Sequence, residues 1–259
     1  ASVSGLVGNV SERGGSWRRI VINAPKANLL SLDMVRALRE TLSEVEAGRG
    51  LKWLTIEGAG SEFSFGAKIQ EHLPDAMIEV LPETHALIKQ LLAFPAPTAA
   101  LVDGRCLGGG FEIALACDDV IATEEAVFGL PEIRLAAFPP VAAALMPLKV
   151  GASRATRAIV TGQILPAAYW HDAGLVSLVA PQATLLDAAG SWFDAHLALH
   201  SAVALSHAAL ATRVTLCAQA LPALDLAESR YLRDLLKTSD AQEGVRAWMA
   251  KRPPHWKDE

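Results

Sequence analysis

Gly104-Arg105-Cys106-Leu107-Gly108-Gly109-Gly110-Phe111-Glu112 runs into an apolar stretch that continues to Cys117, and Phe128-Gly129-Leu130-Pro131-Glu132 follows. Three successive glycines allow a sharp turn and bring the backbone close to a ligand. The apolar run from Phe111 to Cys117 predicts a helix that starts at those glycines. The first N–H groups of a helix lack partners inside it and favour developing negative charge. One carboxylate, Glu112, stands at that helix start, and a second, Glu132, comes after the Phe-Gly-Leu-Pro segment. The combination points to oxyanion chemistry with acid/base assistance, given a second N–H donor and a pocket.

Outward from the glycines, the pattern is alternating. Arg18 to Ile22 and Leu51 to Ile56 are β-prone, and between them Leu32, Val35, Leu38 and Leu42 recur at helical spacing. Ser31 and Asp33 supply capping chemistry for that helix, with Gly48 and Gly50 as its stop. A helix is predicted over about Pro74 to Phe94, broken by Pro95 and Pro97, with strands at Thr98 to Val102 and Val120 to Thr123. This order implies an α/β layer architecture. From Pro140 onward helices dominate (Val141 to Val150, Arg154 to Thr161, Pro166 to Asp172, Leu185 to His200), interrupted by Leu175 to Val179. Residues 1–200 read as the core and 201–259 as a helical C-terminal region whose apolar faces need the core or a partner subunit. The basic, Pro-broken tail Lys251 to Lys257 is expected to fray.

The chain has 259 residues, 23 basic against 28 acidic side chains, and a formal net charge of −5. No long block of one sign occurs, which argues against a nucleic-acid-binding surface. No apolar run reaches the roughly 18 residues of a membrane span. Ala1-Ser2-Val3-Ser4-Gly5 lacks the features of a secretory signal, so a cytoplasmic location is the expectation. Cys106, Cys117 and Cys217 are widely spaced with no CxxC pair, which indicates neither disulfides nor a metal site. Cys106 beside the glycines reads as a small buried thiol rather than a nucleophile.

The glycine triplet lacks the Lys-Ser/Thr of a P-loop and the spaced glycines of a dinucleotide fingerprint. Glu112, among Phe111, Ile113, Ala114 and Leu115, has almost no polar face around it, so its pKa should rise toward values useful in proton transfer. The bland alternative is a buried carboxylate satisfied by backbone N–H groups. For Glu132 the bland alternative is an ion pair with Arg134. Phe63-Ser64-Phe65-Gly66-Ala67-Lys68-Ile69 follows a strand and is the candidate for the second donor, through the N–H of Ala67. Ser64 lacks GxSxG spacing. His72, after Glu71, is weighed as an acid/base group against a structural or solvated histidine.

Taken together, Pro25-Lys26-Ala27-Asn28, Phe65-Gly66-Ala67, Leu107-Gly108-Gly109-Gly110-Phe111-Glu112 and Phe128-Gly129-Leu130-Pro131-Glu132 resemble, in order and spacing, the enoyl-CoA hydratase/isomerase (crotonase) superfamily, from about residue 15 to the C-terminus. The resemblance implies a spiral of strand-strand-helix turns, a helical C-terminal trimerisation region, a homo-oligomer (trimer or dimer of trimers), a coenzyme A thioester substrate and no cofactor. By motif position, the N–H groups of Ala67 and Gly109 form the oxyanion hole, and Glu112 and Glu132 match the paired hydratase glutamates. Lys26, Ala27 and the loop Ser64, Phe65, Gly66, Lys68, Ile69 border the coenzyme A, and Gly108 and Pro131 belong to the same substrate-binding set.

Two positions depart from the usual pattern. Lys68 replaces the acidic residue that commonly follows the oxyanion alanine. Pro140 stands where typical hydratases have a glycine, and it has no N–H to orient a water. The strings Phe63-Ser64-Phe65-Gly66-Ala67, Glu71-His72-Leu73-Pro74-Asp75 and Pro131-Glu132-Ile133-Arg134-Leu135, with Phe138 and Pro140, look most like the subgroup that adds water to cyclic dienoyl thioesters. That resemblance implies a flat ring in space shaped by Phe65, Phe138 and Pro140. A straight-chain enoyl-CoA hydratase, an isomerase or hydrolase of the same superfamily, and a noncatalytic acyl-CoA binding scaffold are the alternatives.

Overall fold

The computed structural model describes residues 5–24, 27–46 and 49–259. The chain winds in turns of strand, strand and helix. A hairpin of β1 (Val7–Glu12) and β2 (Trp17–Ile22) opens it, and after β2 comes a single β-bridge at Leu30 and then α1 (Leu32–Glu46). The next turn is β3 (Trp53–Gly58), bridges at Ser64 and Ala67, and α2 (Pro74–Leu92). Two fuller turns follow: β4 (Thr98–Val102), β5 (Arg105–Leu107), α3 (Gly109–Ala116), then β6 (Asp119–Thr123), β7 (Val127–Gly129), α4 (Pro140–Val150). The rest runs α5 (Ala152–Thr161), β8 (Ile164–Pro166), α6 (Ala167–Asp172), β9 (Leu178–Ala180), α7 (Leu185–His196), α8 (Ala202–Arg233) and α9 (Ser239–Met249).

The first strands of the turns form one sheet in the order β1-β2-β3-β4-β6-β9, parallel except for the β1–β2 hairpin. β4 is buried along its whole length at the middle of that sheet, which is why its sequence is apolar without alternation. The second strands form a smaller sheet, β5-β7-β8, which the bridges Ser64 to Cys106 and Leu30 to Ala67 extend. The helical spacing on α1 does its expected work: Val35, Leu38 and Leu42 are buried against the sheet. α3 is buried on every side and fills the centre of the core, while α8 lies along α4 and α2. No described helix is long and apolar enough to cross a membrane.

Two sequence expectations are corrected. The reading missed β1, β5, β7 and β8; the last three have three residues each, too few to show a periodicity. The tail does not fray. Arg252 donates to both carboxylate oxygens of Glu243, at 2.5 and 2.9 Å, and the N–H groups of Lys257 and Asp258 donate to Asp240. The first turns of α9 thus offer acceptors that fold the tail back on them.

Candidate active site

The glycine run and the Ser64–Ala67 loop lie against each other with no room for side chains between them. A Cβ on Gly110 would stand 2.7 Å from that of Ser64, and one on Gly66, whose φ is +90°, would stand 2.7 Å from the Leu107 carbonyl and 3.2 Å from the Gly109 nitrogen. The Ser64 hydroxyl donates to the Asn28 carbonyl (2.7 Å) and accepts from the Gly66 N–H (3.0 Å), so it holds the loop rather than facing a ligand. Across the Leu30 bridge, Leu30 N–H donates to Gly66 and Lys68 N–H donates to Leu30, which passes over the N–H of Ala67. Gly109 is the first residue of α3, where an N–H has no intrahelical partner. The two amides bond no backbone acceptor among the described residues, and they belong to touching loops.

Beside these amides stand two carboxyl groups. Glu112, 6% exposed on α3, accepts from the Ala142 N–H at 3.0 Å, and the neighbouring Val141 N–H at the start of α4 also favours its charged form. Burial pushes its pKa up to about 7, against those two N–H groups, which favour the charged form. Glu132 sits on a 3-10 turn, Pro131–Leu135, closed by Ala136 in the left-handed region. Its Oε2 is buried without a partner among the described residues, and burial followed by the charge of Glu112 pushes its pKa up to about 8. Arg134 does not pair with it; that guanidinium donates to the Gly162 carbonyl at 3.3 Å. Near neutral pH such a pair favours one shared proton, held on Glu132, with Glu112 ionised. One group can then take a proton while the other gives one.

A cavity of about 430 Å³ opens onto this centre. Of the residues singled out in the sequence, Ala27, Phe65, Ala67, Ile69, Gly108, Pro131 and Glu132 line it. So does His72, whose ring Nδ1 faces the Lys68 carbonyl at 3.4 Å and whose pKa burial lowers, keeping it neutral. The wall also contains Leu29, Gln70, Arg134, Leu135 and Trp248, which sequence reasoning did not assign to the site. Gln70 could have been found from its place in the loop after Ala67. Trp248 arrives from α9, and nothing local in the sequence announces it.

The model of the enoyl-CoA hydratase/isomerase family matches residues 12–259. The chain is 37% identical over 249 residues to the cyclohexa-1,5-dienecarbonyl-CoA hydratase of Thauera aromatica, covering 95% of each chain. It is 35% identical over 242 residues to the 2,3-dehydroadipyl-CoA hydratase of Escherichia coli, covering 92% of this chain and 94% of that one. The crystal structure of an enoyl-CoA hydratase from Mycobacterium avium subsp. paratuberculosis K-10 superposes with a TM-score of 0.82 at 30% identity, covering 98% of this chain and 99% of that one. The chain belongs to the enoyl-CoA hydratase/isomerase family. It is an enzyme among relatives named as hydro-lyases, and the family implies an acyl-CoA thioester as substrate.

Within this crotonase fold the other sequence-singled residues take varied places. Lys68 lies at the surface, with its ammonium 3.8 Å from Glu71, whose other oxygen accepts from the Leu32 N–H at the start of α1. Phe138 packs on Tyr231 at 5.4 Å between ring centres, and Pro140 is buried as the first residue of α4; neither is in the cavity wall. Lys26 lies outside the described residues. Cys106 is fully buried, and burial pushes its thiol well up, which removes it as a nucleophile.

Proposed function

We propose that this crotonase-family enzyme adds water to a cyclic dienoyl-CoA thioester, converting cyclohexa-1,5-diene-1-carbonyl-CoA to 6-hydroxycyclohex-1-ene-1-carbonyl-CoA in anaerobic benzoyl-CoA degradation. Two buried carboxyls carry the acid/base chemistry, Glu112 accepting from the Ala142 N–H and Glu132 with an oxygen unpartnered among the described residues, beside two amides that bond no backbone acceptor there; the 37% identity to the cyclohexa-1,5-dienecarbonyl-CoA hydratase supports the choice of acyl group. The thioester oxygen accepts from the N–H groups of Ala67 and Gly109. Glu112 takes a proton from water as the water oxygen bonds the β carbon, and the displaced electrons run to the thioester oxygen as a dienolate. Glu132 then gives its proton to the far carbon of that dienolate, leaving a conjugated hydroxy thioester. Proton exchange within the pair restores the starting state. Lys26, Ala27 and the Ser64 to Ile69 loop border the coenzyme A, and Phe65 meets the ring.

Purified protein is expected to hydrate the cyclic dienoyl-CoA faster than crotonyl-CoA. Glu112→Gln and Glu132→Gln each remove most turnover while the fold persists. Wild-type rates in both variants would refute the assignment.

A second reading, a straight-chain enoyl-CoA hydratase, is supported by the relative named for 2,3-dehydroadipyl-CoA, since the same glutamate pair serves either acyl group. Faster turnover of crotonyl-CoA selects it, double-bond migration or thioester cleavage selects an isomerase or hydrolase, and binding without turnover selects a scaffold. Homo-oligomer formation belongs to the same proposal: Val203, Val214 and Leu226 on α8 are exposed and apolar. Light scattering should give the mass of a trimer or of a dimer of trimers, and a monomer contradicts it.

A further inference from the structure

The start of α4 directs its N–H groups at Glu112 and into the helix rather than at a water. Pro140, its first residue, has none. The Ala142 N–H donates to Glu112 at 3.0 Å, the Val141 N–H is turned toward the same carboxylate, and that of Ala143 donates to the Pro139 carbonyl at 2.9 Å. A water that Glu112 is to activate therefore needs a donor from another element.

α8 brings one. Tyr231 is 3% exposed, and its ring packs with Phe138 and Ala137, the segment that joins Glu132 to Pro140. Its hydroxyl bonds no protein group among the described residues, yet it is absent from the fully enclosed orphan atoms that include Glu132 Oε2. Burial, then the charges of Glu132 and Glu112, push the phenol up, so it stays protonated as a donor. Resting on the hydratase reading above, we propose that the Tyr231 hydroxyl holds the attacking water between Glu112 and Glu132, in place of the N–H that Pro140 lacks. Tyr231 keeps its proton throughout; the water gives its own to Glu112, and the carbon receives one from Glu132.

Tyr231→Phe keeps the ring packing and deletes the donor. The expected result is a fall in kcat on the order of 10- to 100-fold, with KM and the thermal midpoint little changed. Adding Pro140→Gly to that variant restores a free N–H at the start of α4 and should recover turnover, which a purely structural tyrosine would not permit. Wild-type kcat in Tyr231→Phe overturns the proposal, and so does a loss matched by a lower thermal midpoint and unrecovered in the double variant. A wild-type enzyme that hydrates neither crotonyl-CoA nor the cyclic dienoyl-CoA overturns the hydratase reading and this inference together. Working wild type beside an equally active Tyr231→Phe overturns the tyrosine alone.

Discussion

The carboxyl group of Glu132 lies directly over Gly108: a Cβ built there would stand 2.7 Å from Oε1. Gly108 also has φ +51° and ψ −126°, a conformation that side chains resist. Gly108→Ala should therefore push the acid away from the amide that follows it. We expect a loss of about 1–3 kcal/mol in stability from backbone strain and a fall in kcat of roughly 10²-fold from the misplaced donor. Turnover and chemical denaturation measure the two effects, and a fully active variant would contradict this geometry.

The pH dependence of activity follows from the pair. Activity requires Glu112 ionised, which develops as pH rises through about 7, and Glu132 protonated, which is lost as pH rises through about 8. The expected kcat/KM profile is a narrow bell with its maximum between those values, and its limbs belong to the pair as a unit. Glu112→Gln should remove the acid limb from any residual activity. A profile flat from pH 6 to 9 counts against the assignment.

Stability should carry the opposite mark. Glu132 has a folded pKa of about 8 against an ordinary value of 4.5, so the folded chain binds the extra proton. That contribution is fully present below 4.5 and is lost as pH rises through about 8. Glu132→Gln should thus match wild type at pH 4 and exceed it at pH 9, by on the order of 2–4 kcal/mol. Urea denaturation at both pH values checks the sign, and a variant less stable at pH 9 than wild type would reverse it.

What was legible in the sequence is what local physics dictates. β4 could be read from Thr98 to Val102 because a strand buried on both faces must be apolar throughout. The rise in Glu112 followed from its apolar neighbours, and the missing donor at Pro140 followed from proline itself. β5 and β7 escaped because three residues carry no period. Trp248 and Tyr231 escaped for a different reason: α9 and α8 reach the centre from far along the chain, and no spacing rule encodes that approach. The tail misled because its acceptors, Asp240 and Glu243, look like ordinary solvated helix residues.

Arg213 ties α8 to the core. It is 4% exposed and donates to both oxygens of Asp118 (2.6 and 2.5 Å) and to the carbonyls of Phe94 and Ala96 (2.5 and 2.7 Å). Those carbonyls follow α2, so one guanidinium closes a helix end and satisfies a carboxylate together. Arg213→Ala removes the guanidinium from Asp118 Oδ1 and the Ala96 carbonyl, while Thr98 still donates to Asp118 Oδ2 and the Ala96 N–H to the Phe94 carbonyl; the loss should cost about 3–5 kcal/mol. Arg213→Lys cannot reproduce the fork and should recover little of it. An alanine variant as stable as wild type in denaturant would show that water replaces these bonds.

Trp248 separates binding from chemistry. It lines the catalytic cavity from α9 yet is half exposed, with no hydrogen bond to either glutamate among the described residues. A group that contacts the ligand equally in the ground and transition states changes KM and leaves kcat alone. Trp248→Ala should therefore raise KM severalfold with kcat nearly intact. Because a bound thioester removes water from the indole, its emission should also shift on titration with a nonreactive acyl-CoA, and Trp248→Phe should lose that signal while the other five tryptophans remain. A fall in kcat without a change in KM would mean instead that α9 orders the acid turn at Pro131–Leu135, against which it packs.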